Sequence, residues 1–454
     1  MKKKLNPPQV VAISFLVAII IGTILLSLPL STRGPERIGL VDAIFTATSA
    51  TCVTGLIVKD TPTFFSHFGQ WVILILFQAG GLGIMTLSML FAILLGRKLT
   101  IKENVTIQSA LDHHKIEGLS SLIKYILSFT LGLEFLGALL LFLKWNRGYG
   151  VPAAEAAWNS LFHSISAFCN AGFSLFSNSF MDYQGDLYIT LVISIMIILG
   201  GIGFVVLLDI KNLKFWKRNK GFTVNRFTLQ SKIVLILSAA LILIGTLAFL
   251  ALENNGILQG LSWKNKILAS YFQSVTSRTA GFNTVNIGGL GVVSQLGLIF
   301  LMFIGASPGS TGGGIKTATF GILVITVWSM LKNRDRVSVF KRTIPRHVVR
   351  KALVVFFMAL AWILIFTIAL SLTEGRNMDN LANPFLSFLF EVTSAFGTVG
   401  LSTGMTPHLS ALGKILIILT MYAGRIGPLT LALAIAIREE KIGYKYPEEK
   451  IMVG

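Results

Sequence analysis

The sequence predicts an all-α integral membrane protein made of four tandem helix–pore-loop–helix units with pseudo-fourfold symmetry around a central pore. Of the 454 residues, 53% are hydrophobic and only 13% are charged, with a mean hydropathy of +0.74. A soluble chain of this length would carry far more charge on its surface. Apolar runs of about twenty residues, the length that spans a bilayer as a helix, recur along the chain. One short motif also occurs four times.

Each copy of the motif begins with an aromatic residue and reaches a glycine ten positions later, followed by Leu or Phe. Ser-Ala stands six and five positions before the glycine in three copies, and Val275-Thr276 stands there in the third. The copies occupy residues 45–56, 162–173, 271–282 and 390–401, and their glycines are Gly55, Gly172, Gly281 and Gly400. Four copies of one unit in a membrane chain predict a shared axis, and a single axis predicts a pore.

The apolar runs divide the chain into units. They lie near 10–30, 70–95, 121–143, 186–208, 231–252, 292–331, 350–372 and 411–437, with an interruption in the sixth. We read the first run as a retained helix, because it is longer than the apolar core of a cleavable signal peptide. The predicted units are residues 1–95, 96–210, 211–332 and 333–437, followed by a tail, 438–454.

Charge predicts the orientation in the membrane. Lys and Arg are concentrated in the segments 96–120, 211–232 and 332–351. The positive-inside rule places these segments and both termini in the cytoplasm. This topology, with contact to anionic lipid, accounts for the formal net charge of +19 without a nucleic-acid partner. Docking of an acidic protein partner on the same segments remains open.

Between the two spans of each unit lies a semi-apolar segment of about ten residues, too short to cross a bilayer. Asp42 in the first unit and Asn159 in the second are candidate N-caps for it. We expect a half-helix that enters from outside, stops midway and returns as an extended loop, which is tolerated only where it lines a cavity. The C-terminal end of a helix carries partial negative charge, so four such ends favour a cation on the axis.

The residues around each glycine are the candidate ion-binding residues. Glycine allows backbone angles that turn carbonyl oxygens inward, and rings of carbonyls replace the hydration shell of an ion in potassium channels. Thr398-Val399-Gly400 repeats the beginning of the channel sequence TVGYG. The predicted filter consists of Val53, Thr54, Gly55, Asn170, Ala171, Gly172, Thr279, Ala280, Gly281, Thr398, Val399 and Gly400.

The second helix of the third unit is interrupted by a glycine-rich stretch through which no helix runs. At membrane depth such a stretch lines a cavity, so we expect it to plug the pore below the filter. We call residues 305–314 the break loop. Its members are Gly305, Ala306, Ser307, Pro308, Gly309, Ser310, Thr311, Gly312, Gly313 and Gly314.

Arg425 occupies a helix position where the first and second units carry glycine, in Gly80-Gly81-Leu82-Gly83 and its counterpart at 200–203. An intramembrane arginine is expensive and faces a cavity or a carbonyl-rich partner, for which the break loop is suitable. Lys316 either adds to this charge or extends toward the cytoplasmic side. For the glycines of the first two units, close helix packing is a sufficient explanation.

Two other function classes fit the sequence less well. An enzyme is disfavoured, because the sequence contains no nucleophile–base pair, nucleotide loop or zinc-ligand spacing. An alternating-access secondary transporter remains an alternative, because such proteins also use broken helices. Four short units with pore loops nevertheless differ from those folds, which usually have two large halves related by inversion or rotation.

With these motifs the chain resembles the Ktr/Trk/HKT superfamily of potassium-translocating subunits, and within it the KtrB type. The resemblance implies that K⁺ is transported, since glycine fills all four filter positions, including Gly55. It implies uptake stimulated by Na⁺, a homodimer in which each protomer has its own pore, and a bacterial plasma-membrane location. It further implies that the break loop is a gate whose closed state Arg425 stabilises. A cytoplasmic ring of KtrA-like subunits would bind ATP or ADP, whereas this chain has no nucleotide-binding domain. The tail 438–454 is a candidate dimer or partner contact.

Overall fold

A computed structural model describes residues 7–83, 119–212, 227–334, 336–375 and 383–435. In this part of the chain the fold is almost entirely helical. The helices are α1 Pro7–Leu26, α2 Leu40–Thr51, α3 Thr61–Phe64, α4 His67–Leu82, α5 Leu119–Leu143, α6 Ala153–Cys169, α7 Leu187–Ile202, α8 Phe204–Asn212, α9 Leu229–Glu253, α10 Trp263–Thr276, α11 Val292–Phe303, α12 Thr317–Leu331, α13 Arg346–Glu374, α14 Pro384–Gly397, α15 Ala411–Ile426 and α16 Pro428–Ile435. Ser338–Val339 and Arg342–Thr343 form a short antiparallel hairpin between α12 and α13.

Four long apolar helices, α1, α5, α9 and α13, are the first helix of each repeat. Within the described ranges they are the helices that alone are long and apolar enough to cross a membrane. They match the apolar runs predicted near 10–30, 121–143, 231–252 and 350–372. Their outward surfaces carry many exposed large apolar side chains, for example Ile24, Phe135, Ile244 and Leu372. A surface of this kind is suited to lipid and not to water.

A shorter helix follows each long one, and its C-terminal end leads directly into the glycine motif. These half-helices are α2, α6, α10 and α14. The first two begin earlier than the sequence predicts, because Gly39 and Pro152 occupy the N-cap positions of α2 and α6. Asp42 and Asn159 are therefore not N-caps. Asp42 lies in the first turn of α2, where its charge favours the helix dipole, and the carbonyl of Asn159 contacts His163 Nδ1 at 2.7 Å.

The second helices are interrupted in more units than the sequence indicates. The α4 helix ends at Leu82 with Gly83 as its C-cap, and the rest of the predicted run 70–95 lies outside the described residues. The α7 and α8 helices meet at Gly203 with a bend of 98°. The α15 helix ends at Ile426, and its C-cap Gly427 directly precedes Pro428. All three glycines have positive φ. The prediction of continuous spans over 186–208 and 411–437 is therefore wrong, because a positive φ breaks the helical hydrogen-bond ladder.

Close packing explains the glycines that precede these breaks. A Cβ atom at any of three of them would overlap a carbonyl oxygen in the last turn of a half-helix. The pairs are Gly80 with Thr51, Gly200 with Phe168, and Gly424 with Phe396. The sequence interpretation of these glycines as close-packing residues agrees with this geometry. The small residues let the second helices come close enough to hold the half-helix ends in place.

The first and fourth repeats meet through a charged pair. Lys414 of α15 pairs with Asp42 of α2 at 2.7 Å, and both side chains are mostly buried. The α2 and α15 helices also pack against each other. This contact joins the first repeat to the fourth. The predicted unit boundaries themselves remain a prediction, and the tail 438–454 lies outside the described residues.

Candidate functional site

The four glycine loops, residues 53–55, 170–172, 279–281 and 398–400, have the same backbone conformation. The glycine of each has φ between +71° and +94°, and the residue two positions earlier is also left-handed. Those residues are Val53, Asn170, Thr279 and Thr398, with φ of 59°, 59°, 80° and 50°. A left-handed non-glycine residue is strained and occurs where the surrounding structure enforces it. Four equivalent instances therefore indicate a functional backbone conformation.

The four glycines lie edge to edge in a ring. A Cβ atom at Gly55 would be 2.5 Å from the carbonyl oxygen of Ala171 and 2.9 Å from Cα of Gly172. At Gly172 it would be 2.8 Å from the carbonyl oxygen of Ala280. A Cβ atom at Gly281 would likewise overlap the carbonyl oxygen of Val399, and one at Gly400 would overlap the carbonyl oxygen of Thr54. Each loop thus touches the next, and the fourth touches the first.

The backbone carbonyls of these loops have no partner within the described protein. None of the carbonyl oxygens of the predicted filter residues accepts a hydrogen bond from another described residue. The side chains at the two positions before each glycine are buried in the surrounding protein. An unpaired polar group in a dry protein environment is unfavourable. A ring of such oxygens is chemically suited to coordinating a cation.

A hydroxyl group braces each loop from behind. Ser49 Oγ accepts a hydrogen bond from the Gly55 amide at 3.1 Å and donates one to the Leu56 carbonyl at 2.7 Å. Equivalent bonds join the remaining hydroxyls to their loops. They run from Ser166 to the Phe173 carbonyl at 2.8 Å, from Thr276 to the Phe282 carbonyl at 2.7 Å, and from the Gly400 amide to Ser394 at 3.1 Å. The braces orient the carbonyls that precede them.

The third copy of the motif is one residue shorter than the others. Its bracing hydroxyl, Thr276, stands five positions before Gly281, whereas Ser49 stands six positions before Gly55. The aromatic residue four positions before the hydroxyl is then Phe272, which is buried like Phe45. Alignment by distance to the glycine pairs Tyr271 with Phe45. The structure pairs Phe272 instead, because the deletion lies between the hydroxyl and the glycine.

A cavity of about 240 Å³ opens on one side of the ring. It is bordered by all four ring glycines and by polar residues that follow them, including Ser174, Asn283 and Ser402. The carboxylate of Asp60 also lies in its wall and accepts hydrogen bonds from Thr63 at 2.6 Å and Ser177 at 2.7 Å. A polar, acidic mouth on the axis is suited to collecting cations.

The break loop lies on the opposite side of the ring. Its Gly313 amide donates to Thr398 Oγ1 at 2.9 Å, and a Cβ atom at Gly312 would be 3.0 Å from Cβ of Thr279. Neither threonine lines the cavity, which is bordered by the glycines two positions further along each loop. The Thr311 hydroxyl donates to the carbonyl of Phe168, in the last turn of the second half-helix, at 3.2 Å. The break loop therefore closes the end of the ring that faces away from the cavity.

Two cationic side chains hold the break loop. The Arg425 guanidinium donates to the carbonyl of Thr311 in the loop and to the carbonyl of Gly80 in α4. Lys316 Nζ donates to the carbonyl of Gly312 at 2.8 Å. Within the described ranges no carboxylate forms an ion pair with Arg425. The predicted environment of Arg425, exposed carbonyls of the broken helix, agrees with these contacts.

A third intramembrane cation, Arg278, lies beside the break loop and is not among the residues predicted from the sequence. Its guanidinium contacts Ser238 of α9 and Thr317 at the start of α12. The sequence nevertheless marks Arg278 as unusual, because the first two motif copies carry a cysteine at this position, Cys52 and Cys169. A charged residue within a predicted pore loop is, like Arg425, a candidate functional residue.

The fold and the carbonyl-rich ring define a multi-pass membrane protein of the class that moves cations across a bilayer. Residues 6–443 match the family of TrkH cation transport proteins, and the chain belongs to that family. It is 42% identical to Ktr system potassium uptake protein B of Bacillus subtilis, over 99% of this chain and 97% of the relative. It is 37% identical to the potassium/sodium uptake protein NtpJ of Enterococcus hirae, over 100% and 98%.

The fold has a solved counterpart. The crystal structure of the potassium transporter TrkH from Vibrio parahaemolyticus superposes with a TM-score of 0.71 at 20% identity, covering 94% of this chain and 85% of that one. At this identity the likeness establishes a shared fold and no more. The resemblance to the Ktr/Trk superfamily and its KtrB type is confirmed by the family match and the relatives together.

Proposed function

We propose that this protein takes up K⁺ through a gated, channel-like pore whose selectivity filter is the ring of glycine-loop carbonyls, with four helix–pore-loop–helix units around one axis. The observation that carries the proposal is the ring itself. Four loops with matching left-handed residues present carbonyl oxygens that have no partner among the described residues. Oxygens fixed in a ring replace the hydration shell of a monovalent ion.

Electrostatics favours a cation over an anion in this ring. The C-terminal ends of α2, α6, α10 and α14 lead into the loops, and such ends carry partial negative charge. Asp60 adds a carboxylate to the wall of the cavity outside the ring. K⁺ is the ion we assign, because relatives are named as potassium uptake proteins and glycine fills all four ring positions. Na⁺ is assigned a stimulating role, which the name of a potassium/sodium relative supports.

In this proposal the break loop is the gate. It contacts the glycine loops at Thr279 and Thr398, and Arg425 ties it to the first repeat through Gly80. The same arginine places positive charge beside the conduction axis. Conduction requires that the loop withdraw, which breaks the bonds of Arg425 to Thr311 and of Gly313 to Thr398. Control by a flexible segment of this kind is a common switching device.

Regulation is assigned to a separate cytoplasmic subunit that binds ATP or ADP, and the working unit is assigned as a homodimer in the bacterial plasma membrane. Both termini are placed in the cytoplasm. The basic segment 332–351 supports this orientation through the positive-inside rule. Its hairpin exposes Phe340, Lys341 and Arg342, a surface for anionic lipid or for the regulatory partner.

A second candidate, an alternating-access transporter, is supported by the breaks at Gly203 and within 304–316, since transporters also use broken helices. The closed ring of four short loops argues against it. Channel-like flux does not saturate in the manner of a carrier, so the two mechanisms differ in a measurable way. Saturable exchange of labelled solute across proteoliposomes, with no single-channel currents, would favour the carrier.

The test of the main proposal is rubidium and sodium influx into proteoliposomes, together with growth rescue of a bacterium that lacks potassium uptake. We expect rubidium influx that far exceeds sodium influx, and rescue at low potassium that improves when the nucleotide-binding partner is co-expressed. Equal influx of both ions by folded protein would contradict the filter. Rescue that is unaffected by any candidate regulatory partner would contradict the assigned regulation.

A further inference from the structure

Arg278 occupies an unusual place in the third repeat. It immediately precedes Thr279, the first residue of the third glycine loop, and its backbone amide donates to the carbonyl of Val275 at 3.2 Å. Within the described part of the chain, no carboxylate forms an ion pair with it. The first two motif copies place small thiols at this position, so packing alone does not require a cation here. Charge at membrane depth is costly to retain without a role.

The Arg278 side chain reaches away from the ring toward the base of the break loop. We use this term for the place where Gly305, Ala306 and Ser307 contact Thr317. Nη2 donates to Thr317 Oγ1 at 3.3 Å and to Ser238 Oγ at 3.3 Å. Nη1 lies 3.5 Å from the Ser238 carbonyl. Nε, although buried, has no hydrogen-bond partner among the described residues. The guanidinium therefore joins three segments: the third glycine loop, the long helix α9 and the first residue of α12.

Thr317 is where the two ends of the break loop meet. Its amide donates to the carbonyl of Ala306 at 3.2 Å, and its hydroxyl donates to the carbonyl of Gly305 at 3.2 Å. The hydroxyl of Ser307 lies 3.3 Å from the same Thr317 oxygen. Arg278 thus acts on the base of the loop, through Thr317, whereas Arg425 binds at Thr311, near the middle of the loop.

The neighbouring residue, Thr279, contacts the same loop from the ring side. A Cβ atom at Gly312 would be 3.0 Å from Cβ of Thr279. Two consecutive residues of the third repeat therefore contact this region: Thr279 lies against the middle of the break loop, and Arg278 bonds Thr317 at its base. On the side of the third repeat, the connection from ring to loop runs through Arg278, Thr279, Gly312 and Thr317.

We propose that Arg278 is a positioning residue that fixes the base of the break loop to the third glycine loop, so that on opening the segment held by Arg425 moves while the base stays in place. The inference rests on the proposed gating function. A merely space-filling role would be met by a neutral side chain of similar length. We call this role the clamp. It requires the hydrogen bond between the Arg278 guanidinium and the Thr317 hydroxyl, so the loss of either partner should have the same effect as the loss of both.

A double-mutant cycle on transport tests the clamp. Arg278→Met keeps most of the side-chain volume, and Thr317→Val keeps the shape of threonine without its hydroxyl. Each variant is expected to raise rubidium influx in the absence of a regulatory partner by about two- to tenfold, the range that corresponds to one net hydrogen bond. The double variant is expected to match the larger single effect. Effects that multiply, or no rise in either single variant, would overturn the proposal.

A second readout does not depend on transport. Hydrogen–deuterium exchange of the full-length protein in detergent reports each amide of the loop. Arg278→Met should accelerate exchange at Ser307 and Thr317, near the base, and Arg425→Ala should accelerate it at Thr311, Gly313 and Gly314. Exchange in α13 serves as the folding control and should not change. Acceleration of the whole loop by both variants alike would overturn the proposal.

The two readouts separate this inference from the proposed function. If the unmodified protein carries no rubidium while Arg278→Met accelerates exchange at the base alone, the clamp stands and the assigned transport fails. If rubidium influx is normal and selective but the base amides do not respond, the transport stands and the clamp fails. Arg278→Lys, which keeps the charge but loses the paired donors, should fall between the unmodified protein and Arg278→Met.

Discussion

The guanidinium of Arg425 donates a hydrogen bond to the backbone carbonyl of Thr311, residues far apart in sequence that meet beneath the ring of glycine loops. The same guanidinium donates to the carbonyl of Gly80 in the first repeat. One side chain of the fourth repeat therefore connects the break loop of the third repeat with the second helix of the first. In the proposed mechanism this is the contact that keeps the passage closed.

Replacing Arg425 with alanine removes both of these bonds. Hydrogen bonds to a charged group contribute about 1.5–3 kcal/mol each, so the closed state should lose enough stability to raise rubidium influx at least about tenfold without a partner. Influx into proteoliposomes is the measurement. Lys144→Ala, which removes a lysine that pairs with Asp186 outside the ring at 2.9 Å, is the matched control. Equal influx from the Arg425 variant and the control would contradict the gate.

A serine at Gly55 should widen or distort the ring. The position has φ of +87°, and a Cβ atom would be 2.5 Å from the carbonyl oxygen of Ala171. The left-handed conformation costs a non-glycine residue about 1–2 kcal/mol, and the clash moves the neighbouring carbonyl. We expect the ratio of rubidium to sodium influx to fall by about tenfold.

The control for this variant is Gly260→Ser. Gly260 has φ of +82°, and a Cβ atom added there would have no neighbouring atom within 4 Å, so the substitution imposes the backbone strain without the clash. Its selectivity ratio should equal that of the unmodified protein. If both variants keep the ratio, or both lose it, the ring is not what discriminates between the two ions.

Removing the hydroxyl brace of the first loop should also impair selectivity. Ser49→Ala leaves the Gly55 amide and the Leu56 carbonyl without their partner, which costs about 1–3 kcal/mol for a buried group. The rubidium-to-sodium influx ratio should fall, by less than in Gly55→Ser, because no clash is introduced. Thr246→Ala, whose hydroxyl bonds only a carbonyl of its own helix at 2.7 Å, is the control. A larger loss in Thr246→Ala would count against the brace.

The Asp42–Lys414 pair should stabilise the junction of the first and fourth repeats. Lys414 Nζ lies 2.7 Å from Asp42 Oδ1, and only 15–18% of each side chain is exposed. In a cycle of Asp42→Asn, Lys414→Met and the double variant, thermal unfolding in detergent should give a coupling free energy of about 0.5–3 kcal/mol. Additive effects would mean that the two charges do not stabilise each other in the folded protein.

Much of the candidate site could be predicted from the sequence because its determinants are local. A glycine that needs positive φ, a preceding half-helix and a hydroxyl brace all lie within one short stretch, repeated four times. Gly400 and Ser394 illustrate this, since their bond spans six residues. The break loop could be predicted for the same reason, because its composition alone forbids a helix.

The elements that the sequence does not reveal depend on contacts between distant segments or on single-residue shifts. The bend at Gly203 is not predictable because a lone glycine inside an apolar run is equally compatible with close helix packing. The pairing of Tyr271 with Phe45 is wrong because a deletion in the third motif is invisible when copies are aligned on the glycine. The role of Arg278 depends on Ser238 and Thr317, which its own segment does not reveal.

Anomalous diffraction from crystals grown with thallium or rubidium tests the central claim most directly. The account predicts a density peak on the axis of the ring, within coordination distance of the carbonyls of Thr54, Ala171, Ala280 and Val399, that weakens in Gly55→Ser. A ring without bound ion, together with ordered ion density only elsewhere in the protein, would contradict it.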